Sequence, residues 1–205
     1  MTRNTTRPRL QPRRGQVGPL GHYWFLIFEH APDLHALTKS CQQTIDTAYF
    51  DLTPMDGLHL TLDRIAHDGA STPEQLKLIA TAARRTCQDL ATFTMTMERI
   101  TNLRGAIGFI ASPEKHVHTL RDALRAATLS VLPDAPVKDS SSLPHVTIAY
   151  PMYEGLAAKA AATVERIDPT SGGVEVTVVE AVMVALERRE FSYSWDVAVR
   201  IPLAR

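Results

Sequence analysis

Leu58-His59-Leu60-Thr61-Leu62 and, in the other half of the chain, Pro144-His145-Val146-Thr147-Ile148 are two versions of one pattern: histidine, apolar, threonine, apolar. Side chains alternate faces along a β-strand, so His59 and Thr61 share one face while Leu60 and Leu62 share the other. His145 and Thr147 stand in the same relation to Val146 and Ile148. Each segment reads as a strand that buries an aliphatic face and presents an imidazole and a hydroxyl about 7 Å apart along the strand. The 205 residues include 8 histidines and 21 threonines. At that composition roughly 0.16 such strings are expected by chance, and two occur together in about one chain in a hundred.

Working outward, the elements alternate in type. Residues 23–28 are aromatic and branched and read as a strand. Pro32 and Asp33 open a helix to about residue 45, and 48–52 reads as a short strand. Thr53-Pro54-Met55-Asp56-Gly57 is turn chemistry ahead of the first motif strand, 58–65. Ser71-Thr72-Pro73-Glu74 starts a helix to about residue 90 with Leu76, Ile79, Ala80 and Ala83 on one face. Residues 93–100 and 106–111 form a hairpin around Asn102 and Gly105. Ser112-Pro113-Glu114 caps a helix to residue 131 or 132, and a polar loop covers 133–143. The second motif strand, 144–150, is followed by an Ala-rich helix over 155–167 and a break at 168–173. Residues 174–186 and 191–201 read as a long hairpin through Arg188-Arg189. Strand pairs joined by hairpins argue for antiparallel sheets with helices packed outside, an α+β arrangement.

The size fits a single domain with two lobes, and no apolar run approaches the roughly 20 residues a membrane-spanning helix needs. The 22 basic and 22 acidic residues cancel overall, but Arg3, Arg7, Arg9, Arg13 and Arg14 all lie in the first 18 residues, which carry no acid. The remainder holds 17 basic against 22 acidic residues, a net of −5. The expected organisation is a disordered basic tail over 1–20 and one bilobal domain over 21–205. The tail is either a solvated leader or an arm that binds RNA. A body of net −5 is by itself a poor partner for long RNA. With no apolar segment after those arginines the chain is expected in the cytoplasm, as a monomer. Cys41 and Cys87 form no CxxC pair, which suits a reducing compartment, and no base pattern near them supports a thiol nucleophile. Neither a GxGxxG nor a GxxxxGK[ST] loop is present, which excludes the common nucleotide-binding signatures.

Two imidazoles with two hydroxyls suit acid–base chemistry on a phosphodiester. One neutral histidine takes a proton from the attacking hydroxyl or water, and a protonated one gives a proton to the leaving oxygen. The threonine hydroxyls donate to the non-bridging oxygens. Each motif offers one ligand and no carboxylate on the same face, so no metal or other cofactor is expected. Two essential imidazoles predict a bell-shaped pH profile centred near neutrality.

The doubled motif, 86 residues apart, resembles the 2H phosphoesterase superfamily, and within it the bacterial 2′-5′ RNA ligase and cyclic phosphodiesterase group. The resemblance covers nearly all of the chain after the tail. It implies a pseudo-twofold, two-lobed α+β fold whose two histidine strands face each other across a central cleft. It also implies activity on 2′,3′-cyclic phosphates of nucleotides or RNA ends, with His59 and His145 as the acid/base pair and Thr61 and Thr147 as phosphate ligands. The residues after the motifs, Asp63-Arg64-Ile65 and Ala149-Tyr150, depart from the usual apolar and basic continuations. Hydrolysis by water and 2′-5′ ligation of an RNA 5′-hydroxyl both remain open. So do hydrolysis of linear 2′-5′ oligonucleotides, action on an ADP-ribose derivative, and a non-catalytic RNA- or nucleotide-binding role.

Five further residues are candidates for substrate contact. Arg64 and Arg104 could neutralise a phosphate, or be ordinary solvated arginines. Tyr150 falls by strand parity on the aliphatic face and is either core or a platform for a nucleobase. Tyr193 and Trp195 share a face of the last strand, where they either pack in the core or stack on a nucleobase. His116 and His118 fall on different faces of a helix.

Overall fold

A computed structural model describes residues 11–12, 15–137, 143–167 and 173–204. Most of the arginine-bearing tail, the middle of the 133–143 loop and most of the 168–173 break lie outside the described residues. The elements are β1 (Gly18–Ile27), α1 (Pro32–Gln42), β2 (Phe50–Leu52), β3 (His59–His67), α2 (Pro73–Cys87), β4 (Phe93–Leu103) and β5 (Ala106–Ser112). They continue with α3 (Glu114–Leu129), β6 (His145–Pro151), α4 (Ala157–Arg166), β7 (Val174–Val178), β8 (Glu180–Arg188) and β9 (Tyr193–Pro202).

The strands form two antiparallel sheets, four-stranded β3-β1-β8-β9 and five-stranded β2-β6-β5-β4-β7, giving the α+β class the interleaving predicts. Each motif strand pairs with an earlier strand, β3 with β1 (α1 and β2 lie between them in the chain) and β6 with β5 (α3 lies between). The helices cross over. α1 leaves the four-stranded sheet and packs on β6 and β7 of the other, while α3 leaves the five-stranded sheet and packs on β3. α2 lies against α3 and β9, and α4 covers β4 and β5.

Local chemistry explains the elements that matter for the site. α2 starts where Thr72 accepts from the Gln75 N–H and Gln75 returns the bond to the Thr72 N–H, a capping box that satisfies two otherwise orphaned donors. Ile79, Ala80, Ala83 and Cys87 form its buried face. β1 is apolar on both faces. Trp24, Leu26 and Phe28 enter the main core, and the Trp24 Nε1–H donates to Thr128 of α3 at 3.0 Å. Tyr23 and Phe25 belong to a second cluster with Val182, Val184 and Leu186 on the opposite face. That second face is the floor of the cleft.

Three expectations are corrected. β1 begins at Gly18, not residue 23, because Gly18 and Pro19 pair with Arg188 and Glu187 despite their breaker character. The supposed single strand over 174–186 is two, divided at the exposed Val179, with β7 in one sheet and β8 in the other. The Val178-Val179 doublet and Glu180 interrupt the apolar alternation at this point, but such an interruption does not by itself reveal a change of sheet. The helix after Ser112 starts without a side-chain cap, since the Ser112 hydroxyl bonds Glu98 instead. Upstream of β1, Pro12 bridges to Tyr153, and Gln11 O accepts from the Glu154 N–H at 2.9 Å, so this segment reaches the loop after β6.

Candidate active site

β3 and β6 touch where the two sheets meet. A cavity of about 290 Å³ opens there, lined by His59, Thr61 and Arg64 from β3, His145, Thr147 and Tyr150 from β6, and Leu20, Tyr23, Phe25, Leu186 and Tyr193 from the four-stranded sheet. The two motifs thus converge on one space from opposite sheets.

Both imidazoles are held alike. His59 Nδ1 lies 3.0 Å from Gly57 O, and His145 Nδ1 lies 2.8 Å from Leu143 O, in each case the carbonyl two residues earlier. A carbonyl only accepts, so Nδ1 carries the hydrogen in both rings and Nε2 is left for chemistry. Their surroundings differ. His59 is only 9% exposed; Phe25 stacks on its ring at 4.4 Å and Trp195 meets it edge-on at 4.7 Å. The His59 pKa is lowered to about 4, chiefly by burial, against the raising effect of the Gly57 hydrogen bond and with a smaller lowering contribution from the nearby His145. His59 is therefore neutral at pH 7, with a lone pair on Nε2. His145 is half-buried.

A shared irregularity sets the direction of the side chains beyond each threonine. Along β3, Phe25 pairs with Thr61 and Trp24 with Asp63, so Leu62 is an extra residue, a β-bulge. Along β6, Gly108 pairs with Thr147 and Ile107 with Ala149, so Ile148 is extra in the same way. A bulge reverses the alternation downstream. Arg64 and Tyr150, which simple parity assigns to the aliphatic faces, are turned into the cavity instead. For Tyr150 this overturns the parity argument for a purely core position: it is buried, but against the cavity, in edge contact with Tyr193 at 5.3 Å. Arg64 donates from Nε to the Tyr23 hydroxyl at 2.6 Å.

Each bulge is held by a side chain from the helix of the opposite half. At β3, the reversal buries Asp63, whose carboxylate accepts from Arg125 Nε of α3 at 2.6 Å and from the Arg64 N–H at 2.9 Å. At β6, Gln42 at the end of α1 donates to the carbonyls of Ile148 and Thr53 at 3.0 and 2.8 Å. Gly108 admits the bulged strand, because a Cβ there would collide with the Val146 carbonyl.

The remaining candidates separate. Tyr193 lines the cavity. Trp195 lies behind the His59 ring and packs against Phe25. Arg104 is exposed in the β4–β5 turn with φ of 56° and is outside the cavity lining. Sequence reading missed Tyr23 and Phe25, whose only signal is their odd-numbered spacing in an otherwise apolar strand, and it gave no signal for Gln42, Asp63 or Arg125. Both cysteines are buried, which pushes their thiols up. Among the described residues no cluster of His, Cys, Asp or Glu is arranged to hold a metal ion. No helix among them is long and apolar enough to cross a membrane.

A family model described as the 2′-5′ RNA ligase superfamily matches residues 32–190. Among solved structures, E.coli LigT complexed with 3′-AMP is similar with a TM-score of 0.69 at 18% identity, covering 91% of this chain and 99% of that one. TT0787 of Thermus thermophilus gives a TM-score of 0.69 at 18% identity, covering 90% and 98%. E.coli LigT complexed with phosphate gives 0.62 at 19% identity, covering 92% and 99%. No curated protein matches the sequence. At these identities the structures establish a shared fold.

Proposed function

This chain belongs to the 2′-5′ RNA ligase superfamily, as its doubled motif implies, and we propose that it opens 2′,3′-cyclic phosphates of nucleotides or RNA ends by two-histidine acid–base catalysis. The observation that carries the reading is the pair of identically tethered imidazoles across one cavity, of which His59 is buried and has its pKa lowered to about 4. The neutral Nε2 of His59 takes a proton from water as its oxygen attacks phosphorus. The bond from phosphorus to one ribose oxygen breaks, and that oxygen takes a proton from Nε2 of a protonated His145, leaving a 2′-phosphomonoester and a 3′-hydroxyl. Solvent then returns a proton to His145 and removes one from His59. Thr61 and Thr147 donate to the non-bridging oxygens, and Arg64 offsets their charge. Tyr150 and Tyr193 offer an aromatic wall for the nucleobase. LigT structures complexed with 3′-AMP and with phosphate support a site of this kind. With an RNA 5′-hydroxyl in place of water, the same proton transfers form a 2′-5′ linkage.

The test is turnover of 2′,3′-cyclic nucleotides in EDTA, with products resolved by chromatography. His59→Ala and His145→Ala are each expected to lower kcat by about 10³-fold. Wild-type turnover that both variants retain sinks this reading. The non-catalytic binding role is favoured if a broad substrate panel shows no turnover.

A further inference from the structure

Among the described residues that line the cavity, Arg64 is the one permanently charged cation, and it is half-buried. At the matching position of β6 stands Tyr150, so the fixed positive charge lies on one side only. A guanidinium withdrawn from water is ordinarily paired with a carboxylate. The adjacent one, Asp63, is buried and engaged by Arg125 at 2.6 Å, and among the described residues no ion pair forms at Arg64. What holds it is Tyr23. After the bulge at Leu62 the two strands stay in step only for Trp24 with Asp63 and Tyr23 with Arg64, and then Ile65 is extra again. Tyr23 and Arg64 are therefore set directly opposite, where cross-strand side chains meet. Arg64 Nε donates to the Tyr23 hydroxyl at 2.6 Å, and the guanidinium carbon lies 5.0 Å from the centre of the Tyr23 ring.

We infer that Tyr23 is a positioning residue, which presents Arg64 to the phosphate through a bond that leaves the guanidinium charge uncancelled. The inference rests on the reaction proposed above, in which Arg64 offsets the charge of the non-bridging oxygens. A guanidinium carries five N–H groups in one rigid plane. The phenol accepts the one on Nε and leaves the four on the two terminal nitrogens, a fork that meets two phosphate oxygens end-on. A carboxylate at position 23 would hold the same group but neutralise it. An apolar ring would leave the charge without its direction, and the long side chain would have to be ordered by the substrate at each encounter.

The experiment is a double-mutant cycle on the full chain with Tyr23→Phe, Arg64→Gln and the two together. It is read as kcat/KM for a 2′,3′-cyclic nucleotide and, by calorimetry, as the Kd of inorganic phosphate. Tyr23→Phe keeps the ring beside Phe25 and is expected to lower kcat/KM about tenfold and to weaken phosphate binding in the same direction. In the Arg64→Gln background the same change should move neither readout, whereas a purely structural role would lower both equally in the two backgrounds. Thermal melts of the three variants verify that each is folded. An unaltered Tyr23→Phe, or equal losses with and without Arg64, overturns the role of Tyr23 and leaves the reaction standing. Wild type that turns over no 2′,3′-cyclic nucleotide overturns the reaction, and the phosphate cycle then decides the role of Tyr23 by itself.

Discussion

The β3 and β6 halves of the site are copies in geometry and opposites in environment. Each carries histidine, threonine and a bulge in the same order, and each tethers its imidazole to the carbonyl two residues earlier. Yet His59 is enclosed by Phe25 and Trp195 while His145 is half-buried, and Thr61 is exposed while Thr147 is 8% exposed. In the proposed reaction the symmetry sets two equivalent groups around one phosphorus, and the departure from it lets His59 begin without its proton.

The sharpest way to break the comparison is to attack the bulges. Arg125→Leu leaves the Asp63 carboxylate buried and unpaired, and the expected loss in urea-denaturation stability is about 3–5 kcal/mol. Gln42→Leu leaves the Ile148 and Thr53 carbonyls without their amide donor, for an expected about 1–3 kcal/mol. Equal losses would mean the ion pair and the amide hold their strands equally.

The environmental difference is tested by the pH profile of kcat/KM. His59 must be unprotonated to accept a proton, so activity falls as pH drops through its pKa, placing the acid limb near pH 4. This moves the acid side of the bell well below the position two ordinary imidazoles predict. Trp195→Ala admits water to the ring, raises the His59 pKa toward 6.5 and should shift the limb upward by about one unit or more. A limb that stays put in Trp195→Ala argues that burial by this ring is not what keeps His59 neutral. The smallest effect is expected at the threonines. Thr147→Val should lower kcat/KM about tenfold and Thr61→Val about threefold, since water replaces an exposed hydroxyl more readily than a buried one. The reverse order would show that exposure does not rank them.

The motif strands, the α+β class and the shared strand face of each histidine and threonine were legible because strand alternation and side-chain chemistry are local properties. What the bulges control was not. A bulge at Leu62 or Ile148 leaves no mark in composition, yet it moves Arg64 and Tyr150 across the sheet and makes Asp63 a buried partner for Arg125, 62 positions away. The break at Val179 leaves a short mark, the Val178-Val179 doublet and Glu180, which interrupts the apolar alternation but does not say that β7 and β8 belong to different sheets.

That change of sheet has a consequence for biosynthesis. The four-stranded sheet joins residues 18–67 to 180–202, so it cannot close until β8 and β9 have left the ribosome. In the nascent chain His59 already has its motif and, once β1 pairs with β3, its Phe25 neighbour, but not Trp195. An imidazole still open to water on that side retains more of its ordinary basicity. The part of His59's enclosure that Trp195 supplies is therefore installed by the last strand to be made, after both histidines are already in the chain.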